Sequence, residues 1–159
     1  MKTRKQLTLF VPKKDSEIME LVRSKFNPTQ RNLIDAHITL CREDEIEDLE
    51  RVFENINKIE DFEVKIHFGI PEKFKEQNGV YLPAQNTKTF EELRGKILSN
   101  PRKQMPHITL MHPRNSECTY EIFAEIQTFT FPKEIIFDEI CLIEQKDDQK
   151  WKILKTFKI

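Results

Sequence analysis

Short alternations of apolar and polar residues along this chain are separated by stretches in which apolar residues recur at helical steps. Leu7, Leu9 and Val11 alternate with Gln6, Thr8 and Phe10, a strand pattern that Pro12 ends. Asp15 or Ser16 can cap a helix with apolar positions Ile18, Leu21, Val22 and Phe26, closed by Asn27-Pro28. Ala36 to Cys41 reads as a second strand. Glu43 to Ile59 carries Ile46, Leu49, Phe53 and Ile56, a helical stripe. Phe62, Val64, Ile66 and Phe68 alternate with Glu63, Lys65 and His67 as a half-buried strand, and Val80 to Leu82 forms a short one. Thr89-Phe90-Glu91-Glu92 fits a capping box for a helix through Leu93 and Ile97. His107 to Met111 is a strand, and Ser116 to Gln127 is helical, with Tyr120, Phe123 and Ile126 apolar. Ile135 to Glu144 and Trp151 to Ile159 are strands joined by a turn at Asp147-Asp148. About seven strands and four helices give an α+β class with mostly antiparallel pairing.

Composition narrows this picture. A chain of 159 residues is the size of one domain. Twenty-six basic residues meet 27 acidic ones, and a net charge of −1 argues against blanket neutralisation of a long duplex nucleic acid. No run of 18 apolar residues is present, so neither a transmembrane helix nor a membrane partner is expected. Gln6 to Val11 is too short for a signal-peptide core. Cys41, Cys118 and Cys141 form neither a disulfide framework nor a zinc-ligand spacing, so a reducing, cytoplasmic compartment is the expectation. Three glycines leave no material for a Gly-rich phosphate loop.

One feature rises above this background. His37-Ile38-Thr39-Leu40 recurs 70 positions later as His107-Ile108-Thr109-Leu110. Chance gives a second copy of such a string roughly two times in a thousand. The spacing is too long for a solenoid and suggests two related halves, each giving one motif. On a strand, His and Thr share one face while Ile and Leu take the other. The apolar pair anchors the strand and the polar pair is presented. Two facing pairs offer two imidazoles and two hydroxyls to one centre. Imidazole titrates near neutrality, so one can accept a proton while the other donates. The hydroxyls can hold the non-bridging oxygens of a phosphodiester. This division of labour needs no metal and no cofactor.

At Ala36-His37-Ile38-Thr39-Leu40 and Pro106-His107-Ile108-Thr109-Leu110 the chain resembles the 2H phosphoesterase superfamily, in particular its LigT-like branch, the 2′-5′ RNA ligase family. The strand ending in Pro12, Phe68-Gly69, Asn78 to Leu82 and the hairpin ending in Trp151 to Ile159 extend the resemblance over nearly the whole chain. It implies two antiparallel sheets related by a pseudo-twofold axis, helices on their outer faces, and a central cleft lined by both motifs. It implies one 2H phosphoesterase domain, residues 1–159, built of two lobes. It implies hydrolysis of 2′,3′-cyclic phosphates on nucleotides or RNA termini, usually to the 2′-phosphate. Some members join RNA ends through a 2′-5′ bond. His37 and His107 become the acid–base pair, in either order, and Thr39 and Thr109 the phosphate-holding hydroxyls.

Other residues carry weaker signals. Arg42 and Arg114 are candidates for the phosphate. Arg42 stands five positions after His37, so strict alternation turns it to the opposite face. The same parity turns His112 away and brings Cys41 and Met111 onto the catalytic face. Tyr81 and Phe10 are candidate platforms for a base. His67 reads as a solvent-side residue. A non-catalytic module that binds a nucleotide or RNA end on the same fold is the alternative from a different class.

Overall fold

The computed structural model describes residues 1–75 and 78–159, and it builds the expected α+β fold from two antiparallel sheets. In chain order the elements are β1 (Thr3–Phe10), α1 (Lys13–Phe26), α2 (Pro28–Leu33), β2 (His37–Cys41), a 3₁₀ turn (Glu43–Glu45), α3 (Leu49–Asn57), β3 (Val64–His67), β4 (Glu72–Lys73), β5 (Val80–Pro83), α4 (Lys88–Ile97), β6 (His107–Met111), α5 (Tyr120–Ile126), β7 (Glu134–Phe137), β8 (Glu139–Lys146) and β9 (Lys152–Lys158).

The first sheet has the order β2-β1-β8-β9. The second consists of two ladders, β4-β5-β6 and β3-β7. They join where Phe68 bridges Ala84, Gly69 N donates to Pro83 O (2.8 Å) and Gln85 N donates to His67 O (2.7 Å).

The two motif strands are held in the same register. On β1, Phe10, Leu9, Thr8 and Leu7 pair with His37, Ile38, Thr39 and Cys41. On β5, Pro83, Leu82, Tyr81 and Val80 pair with His107, Ile108, Thr109 and Met111. Each ladder skips one residue, Leu40 in β2 and Leu110 in β6, so both motifs carry a β-bulge at the same place. This shared register relates the two halves that the repeated tetrapeptide suggested, and it fits the pseudo-twofold relation that the resemblance implies. Ile38, Leu40, Ile108 and Leu110 are essentially inaccessible and tie both strands into one core that also takes Leu7, Leu9, Leu82 and Phe90.

Several elements differ from the sequence pattern. Glu43 to Ile59 is not one helix: the 3₁₀ turn ends at Glu45, and α3 begins only after Asp48, whose side chain accepts from Arg51 N (3.2 Å). Pro28, expected to end a helix, also opens the short α2 at its first turn, where a missing N–H costs nothing. Pro12 rather than Asp15 or Ser16 precedes α1, whose Leu21 is exposed while Met19 is buried. Thr89 does not cap α4, because its hydroxyl bonds Lys65 N and O instead. Tyr120, expected on an apolar face, is exposed. Ile135 to Glu144 is two strands. Asp138 separates β7, which pairs with β3, from β8, which pairs with β1, so the chain changes sheets there.

Candidate active site

His37 and His107 start their strands on the solvent side of the core and line one cavity of about 470 Å³ between the two sheets, together with Thr39 and Thr109. The rings are oriented alike. His37 Nδ1 lies 2.7 Å from Asp35 O, and His107 Nδ1 lies 3.5 Å from Met105 O, each carbonyl two residues upstream. A carbonyl only accepts, so Nδ1 carries the proton and Nε2 is the free ring nitrogen on both histidines. Aromatic edges hold the rings from behind. Phe10 meets His37 at 6.0 Å between centroids, and Phe74 and Tyr81 each meet His107 at 5.6 Å.

Burial pushes the His37 imidazole down to about 4, against the pull of the Asp35 carbonyl, with the Arg23 and His107 charges adding to the depression. His107 is lowered as well, by burial first, opposed by the Met105 carbonyl and reinforced by Arg42. Both imidazoles are therefore neutral at pH 7 in the free protein.

The bulges decide what else reaches the cavity. The extra residue at Leu40 reverses the alternation after Thr39, and Leu110 does the same after Thr109. Cys41 and Met111, which parity alone would turn to the catalytic face, are instead completely buried in the core. Arg42 and His112, which parity would turn away, both line the cavity, as does Arg114. His112 Nδ1 lies 3.1 Å from Arg114 N and its Nε2 lies 3.3 Å from Arg114 Nη2, so both ring nitrogens face donors of the same arginine. Burial, then Arg114 and His107, push its imidazole down to about 4.

Two buried side chains brace the bulged ends. Arg94 of α4, 2% exposed, donates to Leu40 O (2.6 Å), to both oxygens of Glu45 (3.1 and 2.6 Å) and to Arg102 O (3.0 Å). Asn27, at the end of α1, accepts from His112 N (2.7 Å) and donates to Asn115 Oδ1 (3.0 Å). Each helix thus supports the motif strand of the other half.

The cavity reaches further than the predicted residues. Arg4, Lys5 and Gln6 of β1, Gln104 before β6, Ile34 and Trp151 also line it. Alternation along β1, which puts Arg4, Gln6, Thr8 and Phe10 on one face, could have pointed to Arg4 and Gln6. Nothing in the sequence pointed to Trp151. Phe10 and Tyr81 do not line the cavity and pack against the two imidazoles instead. His67 stands apart on β3, exposed, with Nε2 2.5 Å from Glu134 Oε2. Arg4, Arg42 and Arg114 have no carboxylate within salt-bridge distance among the described residues, whereas Arg23, Arg31, Arg94 and Arg102 are all ion-paired. Of the guanidinium groups without a carboxylate partner among the described residues, these three line one cavity and Arg51 of α3 lies elsewhere, so the cavity is suited to anions.

Comparison with known proteins gives a consistent picture. The sequence profile of the 2′-5′ RNA ligase superfamily matches residues 10–149. A protein of Staphylococcus aureus strain JH1 named "Putative phosphoesterase" is 29% identical over 167 residues, covering 96% of this chain and 97% of its own length. The backbone is similar to that of Escherichia coli LigT in its apo form, with a TM-score of 0.68, 16% identity and coverage of 100% and 99% of the two chains. It is similar to LigT complexed with 3′-AMP, with a TM-score of 0.67, 18% identity and coverage of 99% and 98%.

Proposed function

The chain belongs to the 2′-5′ RNA ligase superfamily, and on that premise we propose that it is a metal-independent phosphoesterase that hydrolyses 2′,3′-cyclic phosphates of nucleotides or RNA termini to 2′-phosphates. The observation that carries this reading is the pair of imidazoles in one cavity, each with Nδ1 on a carbonyl and Nε2 free.

In this reading one Nε2 takes a proton from the attacking water as its oxygen bonds to phosphorus. The P–O3′ bond breaks, and the other imidazole, protonated, gives its proton to O3′. The phosphate remains on O2′, and the two histidines end with their protonation states exchanged. Thr39, Thr109, Arg42 and Arg114 surround the phosphorus and hold the non-bridging oxygens, where charge accumulates. Because the two imidazoles supply both proton transfers, a metal has no required part.

The test is direct. Protein treated with EDTA is incubated with 2′,3′-cyclic nucleotides and with RNA oligomers ending in a cyclic phosphate. Turnover to 2′-phosphates is expected. An absence of turnover on the whole panel, or dependence on added metal, would count against the proposal. Joining of RNA ends instead of hydrolysis would assign the same histidines to the reverse direction.

The acid–base pair also sets a pH dependence. The productive free enzyme has one neutral and one protonated imidazole. Both groups are lowered from 6.5, so this form is most abundant on the acid side of neutrality and declines as pH rises through 7. The profile of kcat/KM is expected to peak below neutrality. Bound anionic phosphate favours the imidazolium and moves the kcat profile to higher pH. Both curves can be measured across roughly pH 4–9. A kcat/KM that climbs through neutrality would contradict the lowered imidazoles.

A further inference from the structure

The pseudo-twofold relation is broken beside the imidazoles. In the first sheet, the residue paired with Thr39 is Thr8, whose small side chain is buried and accepts from Gln6 Nε2 (2.9 Å). Beyond it the cavity continues along β1 past Gln6 to Arg4 and Trp151. In the second sheet, the residue paired with Thr109 is Tyr81. The register that matches Thr8 to Tyr81 matches Gln6 to Gly79. There a Cβ would lie 2.6 Å from Cδ2 of Phe74, so the Phe74 ring fills the place of the side chain. Phe74 and Tyr81 stack at 4.4 Å between centroids, and both pack on His107. The arm that is open in the first half is filled with aromatic carbon in the second.

The open arm has a distinct chemistry. Ile34, Cys141 and Ile143 form a small apolar cluster separate from the main core, with Trp151 and Phe10 packed on it. Ile34 and Trp151 reach the cavity wall. The Arg4 guanidinium stands 5.3 Å from the Trp151 ring centroid, and its hydrogen-bond partner is the neutral amide of Gln145. Gln30 and Gln6 add amides at the edge. An aromatic ring with a guanidinium over it, apolar Ile34 beside it and amides at the edge suits a planar, hydrogen-bonding heteroaromatic ring, and it adjoins the residues proposed above to hold phosphate.

We propose that this arm is a nucleobase subsite floored by Trp151, so that the symmetric acid–base pair receives its substrate in one orientation, with the nucleoside over the first sheet. The proposal rests on the nucleotide reading given above and names the side of the cavity on which the nucleoside lies.

Trp151 is the chain's single tryptophan, so its fluorescence reports this arm. Titration of the unmodified protein with adenosine 2′-phosphate, in EDTA, is expected to give a saturable change in emission. Inorganic phosphate and ribose 5-phosphate are expected to leave the emission unchanged. Trp151→Ala is expected to weaken adenosine 2′-phosphate about 5- to 150-fold by calorimetry, the range that loss of one base–aromatic stack brings. Its affinity for inorganic phosphate should be preserved, and Trp151→Phe should retain most of the nucleotide affinity.

The proposal is overturned if phosphate alone moves the emission as much as the nucleotide, if the nucleotide moves nothing, or if Trp151→Ala weakens both ligands equally. Should Trp151→Ala fail to fold, the titration of the unmodified protein decides. Neither measurement uses turnover. A saturable nucleotide signal without hydrolysis would therefore sustain the subsite while overturning the cyclic phosphodiesterase reading. Hydrolysis without that signal would do the opposite.

Discussion

Replacing His37 or His107 by Ala is expected to lower kcat on a 2′,3′-cyclic nucleotide by about 10²–10⁴-fold in each case, the usual worth of a positioned general acid or base. The double substitution should cost little more than the worse single one, because the two act as a unit. Substrate binding should change far less, since Thr39, Thr109, Arg42 and Arg114 still line the cavity. Each single variant should also lose one limb of the pH profile, and which limb disappears assigns the acid and the base. The measurement is steady-state kinetics with a binding titration on the same variants. If both single variants keep full turnover, the histidines are not the acid–base pair. If the unmodified protein binds nucleotides without turnover and the variants bind equally well, the fold serves as a binding module.

The largest effect on stability is expected at Arg94. It is 2% exposed and Glu45 is 8% exposed, and they meet through two hydrogen bonds. Burial alone would raise the Glu45 carboxyl. The hydrogen bond from Arg94, the Arg42 backbone N–H and the Arg94 and Arg102 charges together outweigh it and hold the group below its ordinary value. Arg94→Ala leaves that carboxylate buried without its partner, a situation that costs about 3–5 kcal/mol. For a chain of this length the loss lowers Tm by roughly 6–20 °C. Replacing both residues with Met should recover much of it, because an apolar pair removes the stranded charge. The sign of the pH dependence follows. The Glu45 contribution is present above the unfolded carboxylate range and is lost as pH falls through its depressed folded value. Thermal unfolding of the single and double variants checks this, and a double variant no better than Arg94→Ala would show that the pair itself is not the source.

Arg94 carries a second consequence, because one of its bonds goes to the carbonyl of Leu40, the bulged residue. The same guanidinium that stabilises the fold therefore supports the reversal that turns Arg42 to the cavity. Folded Arg94→Ala protein is expected to lose phosphate affinity as well as stability.

How much of this was legible in the sequence depends on the range of the interactions involved. The motif strands were readable, and β6 spans the His107–Met111 segment that alternation predicts, because a strand's two faces are a local property. The bulges were not, because a bulge exists only relative to a partner strand. Arg42 and His112 were consequently turned to the wrong side by strict parity, and Cys41 and Met111 to the other. The break at Asp138 was hidden for a similar reason: Ile135, Phe137, Ile140 and Leu142 are all buried, and apolar character does not say which sheet receives each residue. Trp151 follows the turn of a hairpin that was legible, but its place at the cavity is set by Leu33 O, which accepts from its backbone N–H (2.9 Å), and by Arg4, contacts too distant in sequence to leave a periodic trace.

The change of sheets at Asp138 also bears on how the chain is made. The central strand β1 is synthesised well before its partner β8, which follows only after more than 120 intervening residues. Until then β1 can hold β2 on one edge while its other edge stands open. The ladder β4-β5-β6, built from nearer neighbours, can close earlier. During translation the ladder that carries His107 can therefore form while β1, beside His37, waits with an exposed strand edge of the kind that invites aggregation. The nascent chain, more than the finished enzyme, is where this architecture is vulnerable.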